Sequence, residues 1–390
     1  MTAIVTDARY RMSLAVIRSL GRAGIDVIAQ EERGIGTLAA LGFQSRYSRQ
    51  HWLTASPRLD PGAFVDDLVA RAKGGEVLLP MSLAAILAVA ERIGYVRAKL
   101  KVALPPLATI NTANDKARLI ELADGAGVPT PRTVVLPPGA DPAAVAGQLT
   151  FPVVIKYREG EKLGLGPDKR YAIVRDKERF AETYRSMAAR QESPLIQEYV
   201  AGDGWGMSAV MNADSEPVAV FCHHRLREYP VSGGPSCFAE SRYDEQLVEY
   251  GVRLLKALRW QGVAMVEFKR EFATGRFKLM EINPRFWGSL PLAIAAGVDV
   301  PTILYRVAAG EPVEPLLRHP TGVKMRYLFQ DLLSVPGYLR RADNRGAFLR
   351  GFVRDLLDPR VSDGVFKLAD PLPGIVYTLR ALRRAGRTGE

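Results

Sequence analysis

Cysteine and histidine are scarce: two cysteines, Cys222 and Cys237, and four histidines in 390 residues. So few thiols exclude a disulfide-stapled scaffold and fit a reducing compartment. Both cysteines do lie in one short stretch with His223 and His224. No C-x-x-C or H-x₃-H unit occurs there, and adjacent histidines on a strand point to opposite faces, so a zinc site is not expected. Long apolar runs are missing too. The longest, Leu78 to Ala90, is interrupted by Pro80 and Ser82 and is too short to cross a bilayer. The opening residues, Met1-Thr2-Ala3-Ile4-Val5-Thr6-Asp7, carry no basic residue, unlike a signal peptide. A cytoplasmic location is the expectation.

Two glycine-rich phosphate motifs are also absent. The first βα turn reads Asp7-Ala8-Arg9-Tyr10-Arg11-Met12, without the G-x-G-x-x-G that lets backbone approach a pyrophosphate. No G-x-x-x-x-G-K-[ST] occurs anywhere in the chain, which excludes a P-loop. Nor is there the aromatic-basic interleaving of a nucleic-acid binder, so no nucleic-acid partner is expected.

What is present is a foldable composition. Hydrophobic residues make up 47% and charged residues 24%, enough for a core without staples and for about two or three domains. Net charge is +11. The excess concentrates at the end: from Arg318 onward there are 14 Lys and Arg against 7 Asp and Glu. The segment Pro373 to Arg384 has the pattern of a basic amphipathic helix. Packing with its arginines outward is the default for such a helix, and a peripheral membrane contact is the alternative.

Strand and helix patterns alternate at the start. Ala3–Thr6, Ile25–Ala29 and Glu76–Pro80 read as strands, and Ser13–Ala23 and Leu83–Arg92 as helices, which implies a parallel sheet over residues 1–108. A capped helix is expected over Asn111–Gly127, with Asn111 or Thr112 as cap. Strands and short helices then alternate to about Ala309, with hairpins at Asn212–Ser215 and Ala273–Arg276. Beyond Glu311 the pattern is helical and punctuated by proline.

One hairpin carries most of the chemistry. Glu267 ends Val263-Ala264-Met265-Val266-Glu267, and Glu281 ends Phe277-Lys278-Leu279-Met280-Glu281. If the strands pair, the two carboxylates sit side by side with Asn283 on the same face. Three hard oxygen donors of this kind suit Mg²⁺ (or Mn²⁺), whose remaining ligands would be phosphates. Arg285 adds a fixed cation beside them. Two carboxylates in otherwise apolar strands are costly without such a role.

The run Glu281-Ile282-Asn283-Pro284-Arg285, with Val266-Glu267-Phe268 upstream, resembles the metal signature of the ATP-grasp superfamily. The resemblance covers about Asn111 to Gly310, and the domain before it resembles a pre-ATP-grasp domain. It implies a Rossmann-like N-terminal domain (1–108) and a two-lobed α+β ATP-grasp fold (109–310), which leaves the basic, mostly helical pattern of 311–390 as a C-terminal extension. It also implies ATP between the lobes. Lys116 and Lys156 correspond to the two nucleotide-contacting lysines, where an ammonium suits a mobile polyphosphate. Gln197-Glu198-Tyr199-Val200 corresponds to the hinge that meets adenine, through its backbone N–H and C=O groups, and Asp203 to the ribose-binding carboxylate. The segment Tyr157–Gly166 corresponds to the phosphate-covering flap, although its glycines are spread out and charged residues intervene. Arg225, with Arg227 two residues on, corresponds to the arginine that holds phosphates and the acyl intermediate, and Ser232-Gly233-Gly234 to a substrate loop. Of Trp205 and Trp287, one is expected to pack and one to wall a pocket.

The activity implied is ADP-forming ligation: ATP phosphorylates a small carboxylate, and an amine or similar nucleophile displaces the phosphate. Partners would be those two small molecules, with a homodimer compatible. A bicarbonate-activating or carbamoyl-phosphate-type enzyme is the alternative within the fold. A non-catalytic nucleotide-binding protein docked on an anionic surface is the alternative outside it.

Overall fold

The structure is a computed structural model that describes residues 2–166, 169–231 and 233–387, with side chains described as far as residue 381. Four parallel strands open it: β1 (Thr2–Val5), β2 (Asp26–Glu32), β3 (Ser48–Thr54) and β4 (Val77–Leu79), in the order β3-β2-β1-β4. Ala3, Ile4 and Val5 are wholly buried, as expected for a parallel sheet covered on both faces. The helix Arg11–Arg22 supplies one cover through Leu14, Ile17 and Leu20. The turn after β1 has no glycine, and Asp7 takes the left-handed conformation itself, at φ 51°. Its carboxylate accepts from the Thr6 hydroxyl (2.6 Å) and the Ser82 N–H (3.2 Å), which fixes the turn. β3 has no counterpart among the sequence-read strands. It is an edge strand whose residues Arg49, Gln50 and His51 face solvent, so it lacks an apolar alternation.

The single helix expected over Asn111–Gly127 is two. One helix runs Leu107–Asn114 and a second Lys116–Gly125, broken at Asp115. Asn111 and Thr112 lie inside the first and cap nothing. Asp115 caps the second, accepting from the N–H of Ala117 (2.9 Å) and of Arg118 (3.4 Å). The break sets Lys116 at the first position of a new helix.

A small antiparallel sheet follows, with strands β5 (Thr133–Val135), β6 (Val153–Lys156), β7 (Tyr171–Val174) and β8 (Leu195–Glu198) in the order β5-β8-β6-β7. It has a core of its own around Ile155, Phe180 and Ile196. The large sheet is built from β9 (Gly202–Met211), β10 (Pro217–Glu228), β11 (Ser236–Ser241), β12 (Gly262–Glu271) and β13 (Phe277–Asn283). Its order is β13-β12-β9-β10-β11, all antiparallel, with the two expected hairpins joining β9 to β10 and β12 to β13. This sheet shares its apolar core with the N-terminal domain, through residues such as Leu78, Ile86, Met207 and Phe268. The smaller lobe is therefore the one packed separately.

The C-terminal region is helical over Leu328–Arg341, Arg345–Leu357 and Leu372–Arg387. It also returns two short strands to the large sheet, which the sequence pattern does not show. β14 (Lys324–Arg326) pairs antiparallel with β11, and β15 (Ser362–Asp363) pairs parallel with β14. Among the described residues no helix is long and apolar enough to cross a membrane.

Candidate functional site

The hairpin β12–β13 pairs as its sequence requires. Glu267 lies directly opposite Glu281, and Met265 opposite Asn283. The Asn283 amide nitrogen donates to Glu267 Oε1 (2.9 Å) and to Glu281 Oε1 (3.3 Å), so both carboxylates and the amide converge. Among the described residues no three His, Cys, Asp or Glu side chains are grouped to hold a metal. The side chains here are two carboxylates and one amide, whose oxygens are hard donors that fit Mg²⁺ when other ligands complete its shell, the amide then turning its oxygen rather than its nitrogen to the ion.

Cations from two other elements contact these oxygens. Lys116 Nζ, from the broken helix, is 3.1 Å from Glu281 Oε2. Arg225 on β10 reaches Glu267 Oε2 at 2.6 Å and Glu228 Oε1 at 3.5 Å. It must cross β9 to do so, because β9 lies between β10 and β12. The crossing is possible because β9 presents glycine on that face. Gly206 is the residue opposite Glu267, and a Cβ on Gly204 would stand 2.9 Å from Arg225 Cδ. The spread glycines of Gly202-Asp203-Gly204-Trp205-Gly206 thus clear a path for a side chain.

Lys156, at the end of β6, sits above the hairpin with Nζ 4.0 Å from Met280 Sδ. Burial, then the neighbouring Lys116, push its ammonium down to about 8. Glu281 responds in the opposite sense. Burial pushes its carboxyl up, but Lys116, Lys156 and Arg170 outweigh it and hold the group down at about 2. Glu267 is raised by burial and by its neighbour Glu281, against the pull of Arg225. Two adjacent carboxylates in one partly buried site separate in this way.

Arg285 is engaged by the flap. Its Nε and Nη2 donate to Glu161 Oε1 (3.1 Å) and Oε2 (3.2 Å), a bidentate pair, and Arg170 adds a contact to the same carboxylate at 3.3 Å. Glu161 is not among the residues that the sequence singles out. The charged residues that interrupt the glycines of the flap are the signal that could have found it.

Several expected positions have other roles in the structure. Asp203 shares the face of Trp205, opposite to Glu267, and its carboxylate is 2.6 Å from His224 Nε2, so strand alternation turns it away from the hairpin carboxylates. Arg227 does not clamp alongside Arg225. The β10–β11 register shifts between them, and Arg227 binds Asp331 (2.6 Å) and Asp355 (3.0 Å) of the C-terminal helices. In the hinge, the N–H groups of Glu198 and Tyr199 already donate to Arg132 O and Pro152 O, because β8 is an inner strand. The Gln197 amide donates to Thr133 Oγ1 (2.9 Å), and Glu198 pairs with Lys278 (2.6 Å) and Arg132 (3.0 Å). Tyr199 is exposed, Val200 is buried, and Lys269 bridges them, donating to Val200 O (3.1 Å) with its Nζ 5.5 Å from the Tyr199 ring centroid. Lys269 is a second residue that sequence reasoning missed. Trp205 and Trp287 are both buried, so neither is free to wall an open pocket. Within the expected substrate loop, Ser232 lies outside the described residues. His223 is wholly buried, which pushes its imidazole down to about 3, and its Nε2 is 3.0 Å from Ser289 Oγ, a packing role.

Comparison with known proteins gives the same picture of the fold. Residues 190–330 match a family described as "ATP-grasp in the biosynthetic pathway with Ter operon". A D-alanine--D-alanine ligase of Ectopseudomonas mendocina (strain ymp) is 25% identical over 210 residues, 50% of this chain and 65% of that ligase. The matched region thus spans just under two thirds of that relative's length. The structure of a biotin carboxylase from Campylobacter jejuni, solved as a complex with β,γ-ATP, superposes with a TM-score of 0.64 at 17% identity, over 80% of this chain and 72% of that one. An N5-carboxyaminoimidazole ribonucleotide synthetase from Thermus thermophilus gives 0.60 at 18% identity, over 83% and 81% of the two chains.

Proposed function

We propose that the chain is an ATP-grasp enzyme, an ATP-dependent, ADP-forming ligase that activates a small carboxylate for attack by an amine. The observation that carries this reading is the convergence of Glu267, Glu281 and Asn283 beneath Lys116 and beside Arg225. Oxygen donors for a divalent cation and ammonium groups for a polyphosphate meet in one place, between separately packed lobes. The proposed units are residues 1–108, 109–310 and 311–390.

Glu267, Glu281 and Asn283 would hold Mg²⁺, which neutralises polyphosphate charge when bound. The protein's own contribution is positioning and charge. Lys116 and Lys156 hold phosphate oxygens. Arg225, fixed by Glu267 and Glu228, keeps its guanidinium beside the transferring group and never loses its proton. Arg285 receives an anion in exchange for Glu161. The flap carboxylate holds the place that an acyl phosphate would take. No protein nucleophile is needed, which agrees with buried, packing roles for Cys222, Cys237 and His223. Asp203 faces away from this chemistry, so we assign no ribose contact to it.

The test is ADP release from Mg-ATP against separate pools of amino acids, small carboxylates and bicarbonate. Release that requires one carboxylate together with an amine establishes the ligase. Release with bicarbonate alone moves the protein to the bicarbonate-activating branch. No release from any pool, together with no thermal shift from Mg-ATP, overturns the reading in favour of a non-catalytic binder.

The depressed Lys156 ammonium gives a pH signature. In the free protein it titrates near 8. A polyphosphate beside it favours the charged form, so the complex carries the higher pKa and binding takes up a proton. Affinity is therefore full below pH 8 and falls as pH rises past it, by up to about ten-fold per unit. Calorimetric titration of Mg-ATP across this range checks the sign. Lys156→Arg, whose charge does not titrate there, is expected to flatten the profile. A profile that does not change between wild type and variant removes Lys156 from the phosphate site.

A further inference from the structure

Exposed apolar side chains are concentrated toward the C-terminal end of this chain. Among the described residues, more than half of the large apolar side chains that stand in solvent lie at or after Leu317. All of those are leucine, isoleucine or valine. They fall at helical spacing. Leu349, Val353 and Leu356 form one exposed stripe on the helix Arg345–Leu357, and Leu357 beside them is 74% exposed. Leu368, fully exposed, with Leu372, Ile375 and Leu379 forms a second stripe leading into the helix Leu372–Arg387. An apolar groove of about 370 Å³ runs between Leu368, Pro371, Ile375 and Leu379. The helices form one body, because Phe329 packs on Phe366 and Tyr377, and Tyr338 stacks on Phe348.

The charge around these stripes is positive and unspent. Arg340, Arg345, Arg350 and Arg354 have no carboxylate partner among the described residues. Five acids of the same region are engaged within the chain. Asp331 and Asp355 are held by Arg227, Asp370 by Arg18 and Asp358 by Arg360, while Asp363 accepts from three backbone N–H groups. The segment from Arg318 on carries 14 basic and 7 acidic residues, and of its described acids Asp343 stands exposed.

We propose that this C-terminal region docks on an anionic lipid bilayer, with the aliphatic stripes in the headgroup boundary and the free arginines on lipid phosphates. Leucines flanked by arginines along helices are the pattern of an interfacial surface. A second copy of the chain fits less well, since a two-fold contact would press one net positive face against another. A protein partner would favour aromatic anchors, which this set lacks. Nucleic acid would leave the leucines exposed to water.

The test is flotation of the full chain with vesicles of phosphatidylcholine alone, or of phosphatidylcholine with phosphatidylglycerol, at low and high salt. Binding is expected only with the anionic lipid, weakening with salt. Arg350→Glu with Arg354→Glu is expected to cut vesicle affinity at least about ten-fold. Ile375→Asp with Leu379→Asp is expected to do the same, because its two carboxylates would have to enter the boundary. Both pairs stand in solvent, so unchanged melting temperatures are expected and would show that folding is intact. Absence of binding to anionic vesicles at low salt overturns the proposal. So does equal binding to neutral vesicles. A concentration-dependent dimer that Ile375→Asp abolishes, with no vesicle binding, would instead make the face an interface between copies.

Discussion

Glu281→Gln is expected to lower turnover by about 10²–10³-fold while leaving the protein folded. Glu281 is the most heavily used acid in the site. Lys116 pairs with it directly, Asn283 donates to it, and Lys156 and Arg170 act on it through space. Its carboxylate stays charged down to about pH 2, so at neutral pH the substitution removes a full negative charge without changing shape. Two consequences separate. The divalent cation loses one of its two carboxylate donors, and the Mg²⁺ concentration needed for half-maximal activity rises. Lys116 loses its counter-charge and becomes freer to hold phosphate, so binding of ATP itself is expected to persist or tighten. A fall in kcat with an unchanged or lower KM for ATP is the expected split. The measurement is steady-state ADP release at varied Mg²⁺ and ATP with the substrate pair found by the pool screen. A variant that keeps more than about a tenth of wild-type turnover would show that Glu281 is a structural ion-pair partner only.

The same hairpin explains what could be read from the sequence. Glu267, Glu281 and Asn283 were legible because their juxtaposition follows from strand alternation and one short turn, both local properties. Lys116 and Lys156 were legible as cations at element ends, although the break at Asp115 that orients Lys116 was not. Asp115 reads as an ordinary helix residue until Arg158, far along the chain, draws on its carboxylate at 2.7 Å. Arg225 and Arg227 look equivalent in sequence. A register shift in β10–β11 and two aspartates more than a hundred residues later send one to the site and the other to the C-terminal helices. The face that Asp203 takes was not legible for a similar reason, because which face of β9 carries it is set by pairing with strands distant in the chain. The C-terminal strands β14 and β15 are too short to show an alternation, and they form because β11 offers an edge to β14 and β14 in turn to β15. Features fixed by neighbours along the chain could be read from it, while those fixed by long-range pairing could not.

Such long-range pairing is strongest at the joint between the two ends of the molecule, where Asp370→Ala is expected to cost about 3–5 kcal/mol. Arg18, from the first helix, donates through Nε to Asp370 Oδ2 (2.8 Å), through Nη1 to Val365 O (2.7 Å) and through Nη2 to Asp370 O (2.7 Å). Ser45 Oγ and the Arg46 N–H also donate to the Asp370 carboxylate, at 2.7 and 2.9 Å. Both charged side chains are almost wholly buried. Removing the carboxylate strands a buried guanidinium and two donors, which costs more than the pair itself contributes. The loss should appear first as detachment of the C-terminal segment, since Arg18, Ser45 and Arg46 are its main polar ties to the N-terminal domain. Thermal melts and limited proteolysis read the two effects separately: a lower midpoint, and early cleavage near residues 363–371. Arg18→Met with Asp370→Leu is the control, because replacing both partners leaves no unpaired charge and should recover much of the loss. A single variant that melts within about 1 kcal/mol of wild type would mean that water reaches this joint, and that the segment is held by its apolar contacts instead.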